Sequence, residues 1–181
     1  PYRRQRQMCI RDSIYSARFM GESGYFVTYE QVDPLFSVDL SDPEKPKILG
    51  KLKIPGFSEY LHFYGEDRLL GIGMSTDEES GMAEGVKITM FDISDRSDVK
   101  EESTLVLDDL YGSHAAYDYK SVLADPEKNV IGLSGYSQNG ESYYLLTYNR
   151  TDRKFETILQ EEVNGNTSQG IRGIYIEDTL Y

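Results

Sequence analysis

Four basic side chains recur at comparable places along an otherwise acidic chain. They are Arg18 in SARFMGE, His62 in YLHFYGE, Lys120 in DYKSVLAD and Arg172 in IRGIYIED. Arg18 and His62 each stand seven residues before an apolar strand start, at Tyr25 and Leu69, whereas Lys120 and Arg172 fit only after small changes in loop length. If each lies on the first strand of a repeat, strand alternation aims all four the same way. They then form a partial basic ring that focuses potential on an anionic ligand. The competing reading pairs each cation with a nearby carboxylate such as Glu59 or Asp118.

Other chemistry is sparse. Ser134 lies between glycines in Gly132-Leu133-Ser134-Gly135, but the GxSxG spacing is incomplete and no helix is expected behind it. A nucleophile elbow needs a strand-to-helix turn. His62 and His114 are the two imidazoles that could act as bases, and nucleophilic catalysis needs one of them beside an activated hydroxyl or thiol. HExxH and DxDxDG patterns are absent. No cofactor is expected, apart from a weak calcium site to which Asp77, Glu78 and Glu79 could lend oxygen ligands. A solvated loop accounts for the same run of charge.

The elements that must position these residues are strands. The 181 residues carry 19 Lys+Arg against 31 Asp+Glu, a formal charge of −12. Phosphate binding needs a basic face, so nucleic acid is not an expected partner. With 39% apolar residues, 15 Tyr and 7 Phe, the chain can bury a core and is not a disordered acidic tail. No apolar run approaches the roughly 18–20 residues of a membrane span.

The first residues differ from the rest. PYRRQRQMCIRD holds Arg3, Arg4, Arg6 and Arg11 against one acid, Asp12, leaving 15 basic and 30 acidic residues downstream. The stretch has neither strand alternation nor a helical stripe, and PYRRQRQMCIRDS resembles translated sequencing-adapter read-through. Residues 1–13 are therefore set aside as a non-native scar, with a basic arm for nucleic acid or lipid as the rival reading. Cys9, the only cysteine, falls inside it, so no disulfide or thiol site is expected downstream.

From Ile14 onward, short runs alternate with period two between Gly, Pro, Asp and Asn. Expected strands include Ile14–Phe19, Tyr25–Glu30, Leu35–Leu40, Ile48–Ile54, Tyr60–Phe63, Leu69–Gly73, Val86–Ile93 and Glu101–Leu107. They continue with Tyr117–Leu123, Val130–Tyr136, Tyr143–Tyr148, Phe155–Glu161 and Ile171–Ile176. They fall in fours. Val38-Asp39-Leu40-Ser41-Asp42 recurs as Phe91-Asp92-Ile93-Ser94-Asp95, and more weakly as Tyr148-Asn149-Arg150-Thr151-Asp152. In each, an Asp or Asn can bond backbone N–H groups two residues on and end the strand. Repeats of about 40–50 residues with four strands apiece are the signature of propeller blades. The fold class is all-β: a partial β-propeller of about three four-stranded antiparallel blades and the start of a fourth. The expected units are 14–57, 58–112, 113–168 and 169–181, cut at both ends. Tyr25, Phe26, Phe36, Phe91, Tyr144 and Tyr148 are expected between blades, and the long acidic excursion Ser75–Gly85 at one hairpin.

Ser16–Gly73, with VKITMFDISD (Val86–Asp95), YDYKSVLADPEKNVIGL (Tyr117–Leu133) and IRGIYIEDTLY (Ile171–Tyr181), resembles a family of secreted bacterial and archaeal proteins with a C-terminal β-propeller domain. That family is distantly related to WD-repeat propellers. The resemblance implies a location outside the cytoplasm or on the cell surface, and supplies no reaction. The functional expectation is a binding or scaffolding module for an unknown protein, a glycan or a small anionic ligand. The alternative is a propeller-type hydrolase or lyase, with its site on further blades or on the channel face.

Overall fold

The computed structural model describes residues 13–29, 33–77, 79–163, 171–177 and 179–181; the arginine-rich start and Glu78 lie outside them. Three antiparallel sheets follow one another along the chain. The first blade is β1 (Ser13–Met20), β2 (Ser23–Tyr29), β3 (Asp33–Asp39) and β4 (Lys47–Ile54). The second is β5 (Phe57–Phe63), β6 (Arg68–Thr76), β7 (Ala83–Asp92) and β8 (Lys100–Leu107). In the third, β9 (Gly112–Ser113) and β10 (Leu123–Asp125) share one edge, followed by β11 (Val130–Ser137), β12 (Gly140–Asn149) and β13 (Lys154–Val163). A hairpin of β14 (Tyr175–Ile176) and β15 (Thr179–Leu180) comes last. No α-helix occurs among the described residues.

The repeated Asp motif is a pair of side-chain turns between the third and fourth strands. Asp39 Oδ1 accepts from Ser41 N and Asp42 Oδ1 from Glu44 N. Asp92 and Asp95 do the same for Ser94 and Ser97, and Asn149 for Thr151. Each carboxylate or amide thus replaces the backbone acceptor that the ladder no longer supplies. The turn also docks the blades. Ser37 Oγ of β3 donates to the Arg96 carbonyl in the second blade's turn. A side chain at Gly50, the cross-strand neighbour of Ser37, would put its Cβ 3.0 Å from the Ser97 carbonyl oxygen.

Two cores fill the joints. Tyr25, Val27, Leu35 and Ile54 of the first blade meet Leu61, Leu69, Phe91 and Ile93 of the second. Leu70, Ile72, Ile88 and Met90 of the second meet Ile131, Leu133, Tyr144 and Tyr148 of the third. Alternation along β6 sends Leu69 to one core and Leu70 to the other, which is why the strand is apolar throughout. Of the expected inter-blade aromatics, Tyr25, Phe91, Tyr144 and Tyr148 are buried. Phe26 and Phe36 are half-buried on the opposite face of their strands from Tyr25 and Leu35.

The structure corrects one strand. The expected Tyr117–Leu123 strand instead holds a single 3-10 turn, Tyr119–Ser121, with another, His114–Ala116, just before it, and becomes extended only at Leu123, where β10 begins. Ser113 Oγ accepts from Ala115 N and Asp118 Oδ1 from Lys120 N. Capping side chains placed just before each turn outweigh the alternating aromatics. The Ser75–Gly85 excursion is shorter than its sequence suggests, because Thr76 pairs with Ala83 and only 77–82 lie outside the strands. Ile171–Ile176 is likewise strand only at Tyr175–Ile176.

Candidate functional site

The first strands β1 and β5 lie side by side, and the turn at His114–Ala116 packs against β5, so these elements form one edge of the assembly. Each of the first two strands carries a one-residue bulge: Tyr15 between the pairs Ile14–Thr28 and Ser16–Val27, Glu59 between Ser58–Gly73 and Tyr60–Ile72. In the third blade the pairs Ser113–Gly135 and Leu123–Gly132 enclose nine residues, 114–122. The 3-10 excursion is therefore the same bulge enlarged. Bulges turn side chains out of the ladder and gather near functional surfaces. Tyr15, Glu59, Tyr117 and Tyr119 belong to this row.

Counting from the hairpins fixes the register of the four cations. Met20–Ser23, Tyr64–Arg68, Asp125–Val130 and Ile176–Thr179 close the first hairpin of each blade. The third rung back is then Arg18, His62, Leu123 and Ile174. Arg18 and His62 are equivalent; Lys120 and Arg172 are not on this rung, which corrects the expected alignment. Lys120 is exposed on a 3-10 turn, its Nζ 5.8 Å from the Tyr119 ring. A hairpin loop longer than those of the first two blades and the enlarged bulge shift it by three residues. Arg172 is exposed beside a cleft lined by Tyr143, Ile171, Leu180 and Tyr181.

Arg18 and His62 meet. Arg18 Nη2 donates to His62 Nδ1 at 2.9 Å, and Tyr60 OH lies 3.0 Å from the same nitrogen. A guanidinium has no acceptor, so Nδ1 takes the bond and the ring proton sits on Nε2. Burial, and then the Arg18 charge, push the imidazole below its ordinary pKa. His62 is accordingly a neutral acceptor at pH 7, and the charge belongs to Arg18. The guanidinium carbon stands 5.7 Å from the Tyr60 ring centroid. Among the described residues no carboxylate lies in ion-pair range of Arg18. Glu59 does not pair with it; burial raises the Glu59 carboxyl above its usual range.

The other candidate imidazole, His114, has partners that the sequence did not indicate. His114 Nε2 is paired with Glu141 Oε1, and the imidazole lies edge-on to Tyr136 at 5.7 Å. Tyr136 OH is 3.4 Å from Tyr117 OH, and hydrogen bonding to Tyr117, with burial, pushes it up to about 12. The adjoining hydroxyl of Ser113 donates to the Ser134 carbonyl, so it is not poised on His114. Ser134 Oγ donates to the Ile171 carbonyl. Both serines are structural. Asp77 Oδ1 accepts from Ser80 N and Oγ, closing its turn. Among the described residues no three His, Cys, Asp or Glu side chains converge to hold a metal.

Three sequential antiparallel sheets, the third with β9 and β10 sharing its first edge, joined by recurring Asp and Asn turns are blades, and the beta propeller domain family matches residues 5–181. The chain belongs to that family. It is 41% identical over 172 residues to an uncharacterized protein of Archaeoglobus fulgidus, covering 95% of this chain and 25% of that protein. An uncharacterized protein of Methanocaldococcus jannaschii is 35% identical over 170 residues, 94% of this chain and 25% of the other. The chain thus spans about a quarter of the length of these propeller relatives. Among solved structures, Saccharomyces cerevisiae Sqt1 superposes with a TM-score of 0.57 at 14% identity, over 84% of this chain and 36% of its own. A Lactobacillus plantarum protein gives 0.55 at 14% identity, over 81% and 40%. Both show the fold alone.

Proposed function

We propose that this propeller segment is a binding or scaffolding module that engages an anionic ligand through Arg18 at the joint of β1 and β5. The observation that carries this reading is a half-buried guanidinium with no carboxylate partner among the described residues, held by a neutral histidine and a tyrosine ring. A charge already neutralised would have nothing to offer; this one keeps donors for a carboxylate, sulfate or phosphate. Placement outside the cytoplasm or on the cell surface belongs to the same proposal and draws on the secreted proteins the chain resembles.

Calorimetric titration of the protein with inorganic phosphate and with a short oligouronate tests it. Arg18→Ala is expected to weaken binding about tenfold or more, the worth of a charge-assisted hydrogen bond of roughly 1.5–3 kcal/mol. Lys120→Ala and Arg172→Ala, off the shared rung, are expected to leave it unchanged. Equal affinity in the wild type and Arg18→Ala would remove the proposal.

A further inference from the structure

At the other side of the third blade, the loop after β8 and the strands β12 and β13 enclose a cavity of about 380 Å³. Asp108, Asp109 and Tyr111 line it from the loop, Ser142 from β12, and Gln160 and Glu162 from β13. The side chains reach one space because Ser142 and Glu162 are directly cross-strand and Tyr144 pairs with Gln160 two rungs further. None of the lining residues is basic.

The hydrogen-bond inventory is lopsided. Asp109 Oδ2 accepts from Tyr144 OH and from Gln160 Nε2, which leaves Asp109 Oδ1 and the Gln160 carbonyl as acceptors. Among the described residues no cation pairs with Asp108, Asp109 or Glu162. Ser142 supplies an observation independent of the acidic groups. It is 4% exposed and lines the cavity, yet its hydroxyl has no hydrogen-bond partner among the described residues. The side chain is packed on its other sides, so the hydroxyl can find a partner only in the cavity. Tyr111, 52% exposed among the lining residues, brings an aromatic ring of the kind that attracts cations. A surplus of acceptors, negative charge and an aromatic ring all require a ligand that brings positive charge and several N–H donors.

We infer that this cavity binds a protonated alkylamine, supplied either by a free polyamine or by a lysine side chain of a partner. The carboxylates of Asp108 and Glu162 carry the charge, Ser142 and Gln160 accept N–H bonds, and Tyr111 covers the alkyl stem. This site is independent of Arg18, and its ligand has the opposite sign. The formal charge of −12 draws such ligands toward the protein at long range, so the experiment must separate the cavity from general attraction.

The test is titration of the whole chain with spermidine and with Nα-acetyl-lysine methylamide, each at low salt and at about 0.15 M salt, where the Debye length is near 8 Å. The Asp108→Asn, Glu162→Gln double variant is expected to weaken binding by about tenfold, and Ser142→Ala by about threefold. A control with the same charge change on exposed positions of other turns, Glu44→Gln with Glu127→Gln, is expected to stay within about twofold. Binding of spermidine alone assigns a free polyamine, and binding of the lysine amide assigns a partner's side chain. Equal loss in the cavity and control variants, no binding of either amine, or maltotriose binding with the same residue dependence would overturn the inference.

Discussion

Two glutamates on the opposite edge strands of the second blade have opposite fates, and the contrast separates the scaffold from the surface. Glu102 sits on β8 at the joint of the second and third blades with its side chain 2% exposed. Arg68 holds it from two nitrogens, Nε at 2.7 Å and Nη2 at 3.0 Å, and Tyr148 OH of the next blade donates at 2.7 Å. Burial alone would raise its carboxyl, but the bonds from Arg68 and Tyr148, with the charge of Arg68, more than offset this and hold it below the usual range. Glu59, on the bulge of β5, is half-buried and meets no such donors among the described residues, and burial lifts its carboxyl upward. At the outer joint every charge has been answered. Along the inner edge, Arg18 on β1 and Glu59 on the adjoining β5 are both left under-compensated, and that is where a ligand would be met.

The sharpest way to break this contrast is at the answered end. Arg68→Ala strands a buried carboxylate between blades, and such losses cost about 3–5 kcal/mol. Urea unfolding of Arg68→Ala should show that fall, and the double variant Arg68→Met, Glu102→Leu should recover most of it by replacing the pair with apolar volume. The pair's linkage is acid-sensitive. Because the folded Glu102 pKa lies below its unfolded value, its contribution is complete above the unfolded value and is lost as pH falls through the folded one. An Arg68→Ala protein that unfolds at the wild-type urea concentration would show that the joint is held by its apolar core alone.

Sequence reasoning reached the outer joint more fully than the inner edge, and the reason is periodicity. Strands such as β6 and β7 repeat every two residues, and the Asp turns between third and fourth strands recur with similar spacing because the same backbone atoms need acceptors in every blade. The fold and its blade count were legible on those grounds. The inner edge varies by insertion. Tyr15, Glu59 and 114–122 occupy one structural position with one, one and nine residues, so counting residues along the chain places Lys120 three positions from the rung held by Arg18 and His62. The signal that could have revealed this was present in Ser113 and Asp118, each just before a short turn that its side chain caps. Nothing local to Arg18 or His62 announces that they touch, since that contact depends on the packing of separate blades. The amine cavity likewise draws on residues 108–111, 142 and 160–162, which share no motif.

A smaller effect sharpens the reading of the enlarged bulge. Asp118 Oδ1 accepts from Lys120 N, and Ser121 Oγ donates to the Asp118 carbonyl. Losing a cap of this kind costs about 0.5–2 kcal/mol in helices, and a single 3-10 turn belongs at the lower end. Asp118→Ala should therefore raise amide exchange at Lys120 and Ser121 while leaving global unfolding within about 0.5–1 kcal/mol of wild type. If exchange rises equally across β11 and β12, the excursion is part of the cooperative core and not an appended surface.

The last test returns to Glu59, where the expected sign is the reverse of Glu102. Its folded pKa is raised, so between the unfolded and folded values the native state binds more protons than the unfolded chain. Stability then falls as pH rises through that window and stays reduced above it. A neutral isostere removes the penalty: Glu59→Gln should melt above wild type at pH 7 and together with it at pH 3, where both side chains are uncharged. The effect is modest because the group is only half-buried, but its direction is diagnostic. A protein optimised only for stability would not keep an uncompensated carboxylate at this bulge, on the strand that also carries His62. If Glu59→Gln is instead less stable at pH 7, the carboxylate has found a stabilising donor in solution, and the inner edge is as fully answered as the joint around Glu102.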